Sequence, residues 1–297
     1  MYMISRRGFI QLSAAASIAG CMPLNGAQNR LPTRLIPGTN EALPIIGLGN
    51  SSVFRENNLD PTRRLIDILM EHGGAYVDCG GSSRFSVARV VGERNAMDDT
   101  FLGMYFDLDN EVAARKIITE LRDIQGATSL DLIQTRMIQG IATHGDILRR
   151  WKDDGLTRYI GIARSGKQFY APMMKLMEAR SIDFIQVNYS MLEPEAEERL
   201  LPLAMDKGIA IVINRPFING EYFSVVRGHE LPAWADEFDC ASWAQFSLKF
   251  ILSHPAVNCV LTETSNPTHA VDNLGAGFGR LPDEKTRQRM RTHLLNL

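Results

Sequence analysis

The 297-residue chain has no long apolar run, nothing near the roughly eighteen residues that a bilayer-spanning helix requires. It has no excess of charge either. Its 32 Lys and Arg against 34 Asp and Glu leave a net charge of −2, which gives no support to a nucleic-acid partner. Metal-ligand spacing is absent: four cysteines and six histidines are scattered, and no metal is expected. Beyond Cys21 the cysteines are Cys79, Cys240 and Cys259, an odd set that cannot close into disulfides. Cys79 and Cys259 fall in strand-like runs and read as small core residues. A Gly-rich phosphate turn is also missing. Gly47-Leu48-Gly49-Asn50-Ser51-Ser52 lacks the third glycine of a dinucleotide fingerprint, which counts against a doubly wound open sheet. What is present is ordinary. At 45% hydrophobic and 22% charged, the chain is long enough for one large domain with a well-buried core.

The first twenty residues read as a signal peptide rather than as fold. Met1–Arg7 is short and basic, and Gly8–Gly20 is a short stretch of small and apolar residues. Ser5-Arg6-Arg7-Gly8-Phe9-Ile10 resembles the twin-arginine export motif, which implies the twin-arginine machinery as a partner and a periplasmic or envelope location. Ile18-Ala19-Gly20-Cys21 fits a lipoprotein processing box. Cys21 would then be the lipidated N-terminus, and the only link to a membrane; ordinary cleavage nearby is the alternative. Residues 21–34 read as a polar tether, and residues 35–297 as the folded domain.

Within that domain one unit recurs: a short apolar run, a loop, an amphipathic segment. The runs are Ile45–Leu48, Ala75–Asp78, Phe101–Phe106, Asp131–Thr135, Tyr159–Ala163, Phe184–Val187, Ile209–Ile213 and Asn258–Leu261. They are short and nearly uninterrupted, as strands covered on both faces should be. Helices are expected over Pro61–His72, Glu111–Leu121, His144–Asp153, Gln168–Arg180, Pro194–Lys207, Ala241–His254 and Pro267–Ala276. The alternation predicts an α/β fold, a single-domain (β/α)8 TIM barrel. Arg34–Pro44, with its Gly-Thr-Asn turn, reads as a hairpin closing the barrel bottom.

Chemistry in such barrels sits at the C-terminal ends of the strands. Here those ends are Asn50, Asp78, Tyr105, Arg136, Arg164, Asn188, Asn214 and Glu263. So polar a set facing one opening points to a site. Trp151, Trp234 and Trp243 read as packing residues, although Pro232-Ala233-Trp234 is placed where a lid could be. Glu193–Arg199 reads as a solvated helix start.

Several ordered motifs are carried together: Leu43-Pro44-Ile45-Ile46-Gly47-Leu48-Gly49, Val90-Val91-Gly92-Glu93, Trp151-Lys152-Asp153-Asp154-Gly155, Arg158-Tyr159-Ile160-Gly161-Ile162, Gln186-Val187-Asn188-Tyr189, Asn214-Arg215-Pro216-Phe217, and Thr264-Ser265-Asn266-Pro267 with Asn273. With them the chain, over roughly Leu35 to Met290, resembles the aldo/keto reductases. The resemblance implies hydride transfer from NAD(P)H to a carbonyl, with a Tyr as acid, tuned by Lys and Asp, and a His that orients the carbonyl. Asp78 matches the Asp. The Tyr is expected within Gly80–Phe85, at Ser83 or Arg84, and is not there. The Lys position holds Tyr105, and the His position Arg136. The resemblance further assigns Gln186 to the nicotinamide amide, Asn214 to the ring-stacking position, and Arg215, Thr264, Ser265, His269 and Asn273 to the remainder of the cofactor. Glu263 stands where a 2′-phosphate would be held and should repel it.

Two functions of different kinds follow. One is an NAD(P)H-dependent oxidoreductase with rearranged catalytic residues Asp78, Tyr105 and Arg136, in which Arg136 stabilises a Tyr105 phenolate. The other is a noncatalytic relative whose mouth takes an anionic small ligand or a protein partner. In it Asp78 and Arg136 form an ion pair, or Arg84, Arg136, Arg164 and Arg215 form a ligand clamp.

Overall fold

The computed structural model describes residues 30–136, 141–179 and 181–297. The expected signal peptide, Cys21 and most of the tether lie outside the described residues. The fold starts earlier than expected. Leu31 is already buried, and β1 (Thr33–Leu35) pairs antiparallel with β2 (Ala42–Pro44), so the last residues assigned to the tether belong to the barrel. The turn between them needs Gly38, whose φ of 74° suits a residue without a Cβ.

Eight strands follow: β3 (Ile46–Leu48), β4 (Ala75–Gly80), β5 (Thr100–Phe106), β6 (Leu130–Thr135), β7 (Thr157–Ala163), β8 (Phe184–Asn188), β9 (Ala210–Asn214) and β10 (Val257–Thr262). All pair in parallel with their neighbours, and β10 closes on β3, giving the (β/α)8 barrel. Each lies within a residue or two of the corresponding apolar run. Around them stand α1 (Asp60–Glu71), α2 (Ser83–Glu93), α3 (Glu111–Gln125), α4 (Ile141–Asp153), α5 (Tyr170–Glu178), α6 (Leu200–Lys207), α7 (Glu221–Val225), α8 (Trp243–Leu252), α9 (Pro267–Gly275) and α10 (Glu284–Leu294). No described helix is long and apolar enough to cross a membrane.

Two expected helices, Gln168–Arg180 and Pro194–Lys207, each break into a 3-10 turn followed by a shorter α-helix. Proline explains both. Pro172 and Pro202 lack an N–H and are tolerated only in a first turn, so α5 starts at Tyr170 and α6 at Leu200. The stretch 193–199 is not simply solvated. Glu197 accepts from Tyr189 and Arg287, tying α10 back to the barrel.

The barrel interior is a packed core. Tyr76, Phe101, Leu132, Phe184, Val212 and Leu261 fill it, with Tyr76 and Phe101 edge-on at 5.1 Å. Ile36 and Leu43 of the hairpin plug its lower end. Glu41 seals that end by accepting from Arg158 at 2.6 and 2.7 Å and from Tyr159 at 2.8 Å. The packing roles expected of the tryptophans hold. Trp151 is fully buried, and Trp234 and Trp243 pack on Phe246 with ring centroids 5.7 and 5.2 Å away. Cys79, Cys240 and Cys259 are buried and free.

Candidate binding site at the barrel mouth

Side chains alternate along a strand, so residues two apart share a face. Counting upward from the interior core, Tyr76 leads to Asp78, and Phe101 leads through Gly103 to Tyr105. Leu132 leads through Gln134 to Arg136, Val212 to Asn214, and Leu261 to Glu263. The same parity that fills the core thus delivers a polar set to the opening. These residues meet in one cavity of about 770 Å³. It is lined by Asn50, Asp78, Tyr105, Arg136, Arg164, Asn214 and Glu263, and also by Gln186, Ser165 and the segment from Arg215 to Phe223. Of the eight expected strand ends only Asn188 is absent from the lining. Its side chain instead accepts from the Gly166 amide at 2.6 Å and donates to Glu193 at 2.8 Å.

Asp78 lies at the floor, 1% exposed. Its carboxylate accepts from the Tyr105 hydroxyl, from Gln134 Nε2 at 3.1 Å and from Gln186 Nε2 at 3.2 Å. Gln134 also donates to Gln186 Oε1 at 3.1 Å, so four side chains close into one buried network. Register makes the room. Tyr105 pairs across the strands with Gly80, and a Cβ there would fall 2.2 Å from the tyrosine ring. Asp78 pairs with Gly103, where a Cβ would fall 2.8 Å from its Oδ1. Burial pushes the Asp78 carboxyl up to about 7, against the three donors and the Arg136 charge, which favour ionisation. Burial first, and then the neighbouring Asp78, raise the Tyr105 hydroxyl far above the usual phenol range.

Two expectations are corrected here. Arg136 does not pair with Asp78. It lies over the Tyr105 ring, 5.4 Å from the centroid, and the tyrosine hydroxyl and two glutamines take the carboxylate instead. Burial outweighs the Arg136 charge and pushes the Tyr105 hydroxyl up, which opposes the phenolate expected from the sequence. The arginine clamp is reduced to three members. Arg84 is buried below the mouth, donating to the Gly81 and Tyr105 carbonyls at 2.9 Å and stacking on Phe106 at 4.2 Å. Arg164 stacks on Phe169 at 4.4 Å. Arg215 stands 4.0 Å from Glu193, and its Nε is buried without a partner. Arg136 and Arg164, each over a ring, also line the cavity and bring N–H donors to it.

Of the expected cofactor residues, Gln186, Asn214 and Arg215 line the cavity, whereas Thr264, Ser265, His269 and Asn273 do not. Thr264 Oγ1 accepts from the Asn266 amide at 3.1 Å, shaping the turn before α9. Ser265 and His269 are exposed, and Asn273 is buried in α9. Pro232, Ala233 and Trp234, where a lid was considered, do not line the cavity. Gln134, Ser165, Phe217 and Phe223 are site residues that were not singled out from the sequence. Gln134 carried a signal, a carboxamide inside an apolar run; Ser165 and Phe217 sit in loops and Phe223 in the short helix α7, whose paths sequence does not give.

A nicotinamide would meet an unfavourable arrangement. The Gln186 amide already donates to Asp78, and its carbonyl accepts from Gln134. Asn214 offers no ring face, and its Oδ1 accepts from Ser165 at 2.9 Å. The residues present do not fit that end of the cofactor. Among the described residues no cluster of His, Cys, Asp or Glu could hold a metal ion.

A closed parallel barrel with a polar cavity at the C-terminal strand ends defines a (β/α)8 barrel protein. The aldo/keto reductase family model matches residues 46–290, and the chain belongs to that family. Similar solved structures include an aldo-keto reductase from Bacillus halodurans in its holo form, 19% identical. The match covers 89% of this chain and 96% of that one, with a TM-score of 0.70. Another is an aldo/keto reductase from Klebsiella pneumoniae in complex with NADP and acetate. It is 17% identical over 88% of this chain and 95% of that one, with a TM-score of 0.67. At such identities the likeness establishes the fold alone. No curated protein matches the chain.

Proposed function

We propose that this aldo/keto reductase family member uses its barrel mouth to bind an anionic small molecule, and does not reduce carbonyls by the family's tyrosine–lysine relay. The observation that carries the reading is the division of labour in the cavity. Three arginines stand at the opening against two acids, and one of those acids, Asp78, is held near neutrality at the floor. The family acid must give up a phenol proton, which a neighbouring cation makes easier. Tyr105 instead spends its proton on Asp78, and its surroundings oppose ionisation. NADP-bound relatives make a nicotinamide nucleotide one candidate anion. The engaged Gln186 and the Glu263 carboxylate on the rim weigh against it.

Calorimetry with pyrophosphate as probe tests this. Arg164→Gln and Arg136→Gln should each weaken binding at least about tenfold, the scale of one charge-assisted hydrogen bond. Parent-like affinity in both variants, or no binding by the parent, would sink the reading.

We also propose that the protein acts in the cell envelope, exported by the twin-arginine route and held through Cys21. The Arg6-Arg7 pair and the Cys21 box support this. Cys21→Ala should move the protein from the membrane fraction to the soluble periplasmic fraction. An unchanged distribution would contradict the anchor.

A further inference from the structure

The chain leaving β9 runs through four left-handed residues within six positions. Arg215 has φ 51°, Ile218 50°, Asn219 54° and Gly220 96°. For Ile218 this is costly, because a β-branched side chain clashes with the backbone there. Such strain persists only where the surroundings over-determine it, and it gathers at ligand clamps. The surroundings are visible. Ile218 is buried, Ser247 Oγ donates to the Pro216 carbonyl at 3.0 Å, and the Tyr222 hydroxyl donates to the Trp243 carbonyl at 2.9 Å. Turns inside the segment close with Ile218 N to Arg215 O at 3.0 Å and Gly220 N to Phe217 O at 2.8 Å.

What this braced segment presents to the cavity is a cation followed by two rings. Phe217 and Phe223 lie 4.9 Å apart at 44°, and Phe223 stays 40% exposed in the wall. An exposed phenylalanine in the short helix that a strained, tethered turn leads into is a pre-formed apolar face. Arg215, Arg136 and Arg164 line the same cavity, the last two each over a ring of its own, 5.4 and 4.4 Å from the centroid.

We infer that the ligand is a planar aromatic acid. Its ring packs on Phe217 and Phe223, and its carboxylate takes the guanidinium edges. The inference rests on the anion-binding reading and narrows it. A ring gains more from such a wall than a saturated skeleton of the same shape, because ring quadrupoles pair edge to face and guanidinium faces stack on π-systems.

The test is calorimetry with 2-naphthoate and its ring-saturated counterpart, decahydronaphthalene-2-carboxylate, which carry the same charge on the same skeleton. The parent should bind the naphthoate about fivefold or more tightly than the saturated acid, the scale of one good aromatic pair. In Phe223→Leu, which keeps apolar area but removes the ring, that preference should fall to within about twofold. The exposure of Phe223 leaves the fold unburdened by the change, and a matching thermal midpoint confirms it. Equal binding of both acids by the parent, or a preference that survives in Phe223→Leu, overturns the aromatic inference and leaves anion binding standing. Failure of both acids to bind overturns the aromatic inference; the pyrophosphate titration then decides the broader reading separately.

Discussion

At the scale of single residues, the protein turns on Asp78. The carboxyl is held at about 7 when folded, against an ordinary 3.8. Between those values the folded state keeps a proton that the unfolded state has released. The stability contributed by the protonated acid is therefore complete below about pH 4, declines as pH rises toward 7, and levels off above it. Asp78→Asn should remove this decline. The difference in denaturant midpoint between parent and variant should shift in the variant's favour from pH 4.5 to pH 8, by on the order of 2–4 kcal/mol in free energy. A pH-independent difference would mean that Asp78 titrates normally. Tyr105→Phe should act in the opposite sense, because it removes a donor that favours the carboxylate. Its cost should be greater at pH 8 than at pH 4.5, by about 1–3 kcal/mol.

At the scale of elements, the site is made by the register of β4 and β5. Each polar side chain is accommodated by a glycine on the neighbouring strand: Asp78 by Gly103, and Tyr105 by Gly80. A Cβ at Gly103 would also fall 2.9 Å from the Tyr76 hydroxyl, so neither neighbour can yield without breaking a packed contact. Gly103→Ala should cost about 1–3 kcal/mol in a urea melt. Gly145→Ala, within α4 and with its nearest neighbouring atom 3.7 Å from the added Cβ, should instead gain about 0.5–1 kcal/mol. Equal effects at the two sites would remove the argument from register. The strands were legible in the sequence because each is covered on both faces and reads as an apolar run. α2 was not, because Arg84, Ser86, Val87, Ala88, Val90 and Val91 are all buried and leave no single apolar stripe. α10 was missed for the opposite reason: only Arg287, Met290 and Leu294 of its eleven residues are buried. Asp78, Tyr105, Arg136, Asn214 and Glu263 were legible as a set because parity aims them, whereas Asn188, on the inward parity of β8, does not line the cavity. Their partners were not. Opposite charge suggested Asp78 with Arg136, whereas the geometry joins Asp78 to Tyr105 and two glutamines, since ring stacking holds the guanidinium away.

At the scale of the whole molecule, two ends of one barrel do different work. The lower end is closed by the hairpin and the ion pairs of Glu41 with Arg158, and the upper end is left open and charged. The family fold is complete, so the barrel itself does not decide between reductase and binding protein; the contents of the mouth do. The most direct measurement is NADH and NADPH oxidation by the purified protein with a panel of aliphatic and aromatic aldehydes, compared with Tyr105→Phe. The expected result is no turnover above the protein-free rate in either protein. Robust aldehyde-dependent oxidation by the parent that is abolished in Tyr105→Phe would contradict the account, because it would make Tyr105 the proton donor that its contact with Asp78 argues it is not.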